Sequence, residues 1–154
     1  MRDSTSDRDA VRRALAALQI AHGEAEEQHV YPTLRKKRAI GSHEVEHSEE
    51  EHAEGNQALL ALLELKGTDT QAFDDAVEKL AEALNHHMTE EELTVLNPAR
   101  EEVSEEARAK LGLDFATERN AQLDADCGRI ENVRAIVARA EEEGLMDEGD
   151  SGGE

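Results

Sequence analysis

IAHGEAEEQHVYP, residues 20–32, has a counterpart in NHHMTEEELTVLNP, residues 85–98. Each phrase holds a histidine, a glutamate four residues later, a second glutamate and then a proline. His22 lies over His87 and Glu26 over Glu91, sixty-five residues apart. Positions i and i+4 stand one above the other on a helix, so each phrase predicts a helix that presents an imidazole beside a carboxylate. Working outward, Val11, Leu15 and Leu18 lead at helical steps into His22, Ala25, Glu26 and His29. Phe73, Val77, Leu80 and Leu84 lead in the same way into His87 or Met88, then Glu91 and Val95. Both pairs continue an apolar stripe and are expected to point inward.

The rest of the chain reads as helices too. Ser6 and Asp9 form a capping pair for the first helix, which closes near Pro32 and the basic run Arg35–Arg38 before a turn at Gly41. Ser42 caps a second helix that runs to Gly67 with Leu59, Leu60 and Leu63 inward; stepping back from them gives Asn56 and His52. Thr68 or Thr70 starts the third, closing near Pro98. Ser104 starts a short helix ending by Gly112, and a last one spans about 114–143 with the stripe Leu123, Cys127, Ile130, Val133, Val137 and Ala140. No strand pattern occurs, so an all-α, antiparallel up-down bundle is expected. Residues 1–105 form its core, 106–145 a C-terminal helical extension, and 146–154 an acidic tail expected to be disordered.

Composition narrows the function. The 154 residues include 37 acidic against 17 basic side chains, a formal charge of −20, which repels phosphate backbones and anionic membranes and so argues against nucleic acid as a partner. Tyr31, Phe73 and Phe115 are the only aromatics, and the apolar residues are mostly Ala and Leu, as in helical proteins. One cysteine, Cys127, makes no internal disulfide, and no apolar run has transmembrane length, so a cytoplasmic setting is expected.

A carboxylate buried beside an imidazole is costly unless something compensates. Two such pairs facing each other, with His52 arriving from the middle helix, share one compensation in metal ions, and inward His and Glu from several helices are how bundle di-metal sites are built. Imidazole plus carboxylate suits iron, manganese or zinc. A lone His–Glu pair is more often a solvated surface pair; two on inward faces, each followed by proline, favour the metal. His43 and His47 fall off the leucine stripe and read as surface. His86 stands about 100° round the helix from His87, so one of the two faces the centre; stripe and repeat favour His87, and Glu90 falls with His86. His29 divides between support of the site and surface. Cys127 reads as core.

These residues resemble hemerythrin-like (HHE cation-binding) domains. The phrases AHGEAEEQHVYPTL, EHAEGNQALLALLEL and FDDAVEKLAEALNHHMTEEELTVLNPAR carry the resemblance, over about residues 11–105. It implies a four-helix bundle around a non-haem, carboxylate-bridged di-iron centre that binds dioxygen or serves as an oxygen, nitric oxide or iron sensor. It implies His22, His52 and His87 as ligands and Glu26 and Glu91 as bridging carboxylates. Glu24, Glu49 and Glu90 are candidate acceptors for the outer imidazole N–H groups. The family pattern begins with a further His-bearing helix that this sequence lacks, so the ligand set is short by at least one His. Asp124, Asp126 or Glu131 could supply oxygen instead, or the missing wall could come from a partner chain. A two-fold dimer with Ile130–Val137 at its contact is expected. Two alternatives stand beside the binding protein: a metal-dependent enzyme acting on peroxide or nitric oxide at an open site, and a metal-free bundle acting through its surface.

Overall fold

The computed structural model describes residues 7–146, and every regular element among them is helical. Helix α1 (Arg8–Ala25) starts at Asp7, whose carboxylate accepts the Ala10 N–H at 3.0 Å. Ser6, half of the expected capping pair, lies outside the described residues, as does the acidic tail from residue 147. A wide π turn, Glu26–Val30, joins α1 to α2 (Tyr31–Lys36) without a break. After a turn in which Arg38 takes a φ of 62°, α3 (Ser42–Glu64) begins at Gly41, whose N–H is held by the Glu44 carboxylate at 2.9 Å. Thr70 caps α4 (Gln71–Glu91) through the Phe73 N–H. A second π turn, Glu92–Leu96, leads into α5 (Asn97–Glu102).

Neither proline ends its helix: α2 runs on to Lys36, within the expected basic run Arg35–Arg38, and α5 runs to Glu102, a little past the expected close near Pro98. Proline has no N–H to donate and its ring crowds the carbonyl four residues back. Widening the preceding turn relieves both, and the bonds that close the wide turns come from the residues just before proline: Tyr31 N–H to the Glu26 carbonyl and Asn97 N–H to the Glu92 carbonyl.

The C-terminal region also departs from the expected pattern. Helix α6 (Glu105–Asp124) passes through Gly112 intact, and the break falls at 125–129, before α7 (Ile130–Glu142). One glycine mid-helix costs only about 1 kcal/mol, whereas at the real corner Asp126 takes a φ of 56°. There Gly128 lies so close to α1 that a Cβ would stand 2.4 Å from the Ala17 backbone nitrogen.

Short connections make α1, α3 and α4 antiparallel neighbours, with α6 packed along α1 and α7 on α3. Arg12 closes the open end of α3, donating to the carbonyls of Leu62 and Leu65 at 3.1 and 2.8 Å. Apolar side chains gather in two clusters. One joins Ile20, Leu59, Leu62, Phe73, Leu80 and Val133; the other joins Tyr31, Leu34, Val45, Val95 and Val103. Two faces differ from the sequence reading. On α1 the buried positions are Ala16, Ile20, Ala21 and Ala25, while Val11 and Leu18 are exposed; on α3 Leu62, not Leu63, is fully buried.

Candidate metal centre

Between the two apolar clusters lies a layer of buried polar residues: Glu26, Ser48, Glu51, His87 and Glu91, with His52 beside them. His22 comes from the last turn of α1 and Glu26 from the start of the wide turn that follows, Glu51 and His52 from the middle of α3, and His87 and Glu91 from the last turns of α4. The His52 and His87 Nε2 atoms stand 3.1 Å apart. Glu26 reaches His22 Nε2 with one oxygen at 2.9 Å and His52 Nε2 with the other at 3.3 Å. Glu91 comes within 4.0 Å of His87 Nε2.

Each inner imidazole is anchored on its outer side. His52 Nδ1 lies 2.8 Å from Glu27 and His87 Nδ1 lies 3.0 Å from Glu51. Carboxylates there favour a proton on Nδ1 and turn the Nε2 atoms inward, the orientation that metal-bound histidines use. These acceptors are Glu27 and Glu51, not the expected Glu24, Glu49 or Glu90; Glu24 instead pairs with Arg139 of α7 at 3.2 Å. Tyr31, also unforeseen, places its hydroxyl 3.4 Å from Glu26 and 3.3 Å from His52 Nε2. Burial and the charges of Glu26 and Glu91 push the phenol far above its ordinary range, so it stays protonated and donates.

The charges of the layer are uneven. Burial pushes Glu26 up, but hydrogen bonds from His22 and His52 prevail and hold it well below the carboxylate range. Burial and the neighbouring Glu26 raise Glu91 to about 8. His52 is raised to about 10, its bonds to Glu26 and Glu27 outweighing burial, whereas burial and the charge of His52 lower His87. Without a cation, protons on His52 and Glu91 supply the positive charge that the layer lacks. One Glu91 oxygen is still buried without a partner.

Two ligand groups converge here, Glu26–His52–His87 and His22–Glu26–Glu91, each with its donor atoms within 4.8 Å of one another. Glu26 belongs to both, with Oε1 toward His22 and Oε2 toward His52. The layer thus fits metal cations by donor chemistry, by lone-pair direction and by the orphaned Glu91 oxygen. A family model provides the independent comparison: the hemerythrin HHE cation-binding domain matches residues 1–99. The chain belongs to this family. No curated protein and no solved structure matches significantly.

In this HHE protein the structure brings together His22, Glu26, His52, His87 and Glu91. His29 turns away to Glu118 of α6 at 3.6 Å, and Glu90 is in neither ligand group. His86 is exposed, 3.2 Å from Glu51. Asp124, Asp126 and Glu131 are exposed and add no donor to either group. Helix α6 meets His22 through Phe115, the two rings edge to face with centres 5.3 Å apart. The wall above the layer is therefore open. A groove of about 690 Å³ runs between α1 and α4 over α3, edged by Leu15, Leu18, Leu84, Met88 and Leu96, with His22, His87 and Glu91 at its base. Ile130–Val137 does not cover it: Val133 and Val137 are buried, with α7 packed on α3 of the same chain.

Proposed function

We propose that this HHE protein holds two iron ions in the polar layer as a carboxylate-bridged centre, for binding dioxygen or for sensing oxygen, nitric oxide or iron. The shared position of Glu26 in both ligand groups carries the reading, since one carboxylate between two cations offsets their repulsion. The bound irons would supply redox chemistry toward a small ligand. The protein's own part is distinct. Glu27 and Glu51 orient the imidazoles, Tyr31 donates a hydrogen bond beside Glu26, and Leu18, Met88 and Leu96 line an apolar approach. Manganese or zinc suits the same donors.

Metal analysis of protein reconstituted with ferrous iron tests the reading. Two irons per chain and a visible band that changes on oxygenation are expected; a folded protein that retains no iron sinks it.

A second reading, peroxide or nitric oxide turnover, is favoured by the open groove, because catalytic metal sites keep a position free. Metal-dependent turnover of either substrate would single it out.

The proposal extends to the remainder of the chain. The HHE core runs to about residue 105, with residues 106–145 as an extension. The protein is cytoplasmic; no described helix is long and apolar enough to cross a membrane. It forms a two-fold dimer whose contact lies at the groove, where Leu18, Met88 and Leu96 are 53%, 56% and 48% exposed. Sedimentation equilibrium reads the mass directly, and a single species of 17.0 kDa removes the dimer.

A further inference from the structure

Behind the His87 ring stands a second group of metal-binding side chains that the inner layer does not use. Glu51 is 7% exposed, and its two oxygens serve different neighbours. Oε2 takes the His87 Nδ1–H at 3.0 Å. Oε1 is enclosed and accepts no directed hydrogen bond. Two more imidazoles stand around that oxygen: His86 Nε2 of α4 at 3.2 Å, and His47 Nε2 of α3 at 3.6 Å. His47 lies one helical turn before Glu51, so the two share a face. Both rings reach solvent, which leaves them free to turn. A buried carboxylate oxygen without a donor is destabilising by about 1–3 kcal/mol or more. Neither ring aims an N–H at this one.

We propose that His47, Glu51 and His86 form a separate surface site for a zinc-class divalent cation. Two imidazole nitrogens and one carboxylate oxygen make a borderline donor set, with water left to complete a tetrahedron. Such ligands sit about 2 Å from the metal; the two imidazoles, 3.2 and 3.6 Å from Oε1, do not converge as they stand, and binding would turn the exposed rings toward one cation. The site is distinct from the inner layer, although Glu51 touches both. A cation on Oε1 and the His87 N–H on Oε2 draw on the same carboxylate charge, so the outer site senses and adjusts the orientation of an inner imidazole.

Zinc chloride titrated into the metal-free protein tests this, read by proton–nitrogen spectra of the imidazoles and by zinc retained after desalting. One zinc per chain beyond what the inner layer takes should move the His47 and His86 Nε2 signals together. The double variant His47→Gln/His86→Gln should lose that one zinc while the His52 and His87 signals still respond. His43→Gln, one turn before His47 and exposed, should keep it. In Glu26→Ala, which damages the inner layer, the His47 and His86 response should survive, so the two readings fail separately. The proposal is overturned if the double variant retains as much zinc as the wild type, if the two signals stay put at saturation, or if their response vanishes with Glu26→Ala.

Discussion

Replacing Glu91 by glutamine should stabilise the metal-free protein while weakening its hold on metal. Glu91 is buried beside Glu26, and its folded pKa of about 8 lies above the ordinary 4.5. A group whose pKa is raised on folding contributes stability that is complete below its unfolded value and is lost as pH rises through its folded value. For Glu91 that loss runs from about pH 4.5 to 8. At pH 7 the unfolded chain has released this proton and the folded one has kept it. Two and a half pH units at about 1.4 kcal/mol each give about 3 kcal/mol. Glutamine mimics the protonated acid, with an N–H for Glu26 and no proton to lose. Relative to the wild type it should therefore gain little at pH 4.5 and about 3 kcal/mol by pH 7, or roughly 6–12 °C in Tm for a chain of this size. Thermal unfolding followed by circular dichroism, with chelator at both pH values, measures the difference. With metal the sign reverses, because an amide brings no negative charge to two cations. A stability gap that does not change between pH 4.5 and 7 refutes the reasoning.

Other variants probe the remaining parts. His87→Ala should sharply lower iron content and His43→Ala should leave it unchanged, as measured by metal analysis after desalting; equal losses would mean that burial does not select the ligands. Glu27→Gln keeps the shape but weakens the acceptor at His52 Nδ1, and a 10- to 100-fold loss of metal affinity is expected from competition with a chelator. Gly128→Ala must push the α6–α7 corner off α1, at roughly 1–3 kcal/mol, visible as a lower denaturant midpoint with iron content retained.

Much of this was legible from residue spacing. The two His–Glu pairs and His52 meet because i, i+4 spacing and a continuous stripe on α4 survive folding unchanged. The α1 stripe misleads because its leucines read as inward, whereas tight helix contact at Ala16, Ala21 and Ala25 turns Leu18 to the groove. On α3 the run ALLALLEL offers several stripes. Choosing Leu63 led back to Asn56 and passed over Glu51; choosing Leu59 and Leu62 leads through Gly55 to Glu51, Ser48 and Val45, the buried set. Glu27 and Tyr31 were hidden because a uniform helical period places them off the ligand face. The corner at 125–129 was missed because Gly112 is the more familiar stop signal, although Gly128 was equally available and is the glycine that packing requires.

The two wide turns have a consequence for how one rod serves two layers. The ligands repeat at an interval of 65 residues, from His22 to His87 and from Glu26 to Glu91, but the prolines repeat at 66. The wide turns, Glu26–Val30 and Glu92–Leu96, share the prolines' 66-residue interval. An added residue rotates everything beyond it by about 100°, so the residues leading into each wide turn can be phased for the metal while those toward its end and beyond it are phased for the cluster of Tyr31, Leu34, Val95 and Ala99. Tyr31, five positions from Glu26, thereby reaches the carboxylate that a uniform helix would turn it from. Proline here sets an angular offset and does not stop the helix, and deleting a single residue between Glu27 and Val30 would swing Tyr31 and Leu34 out of register with their cluster while leaving every metal ligand in the sequence.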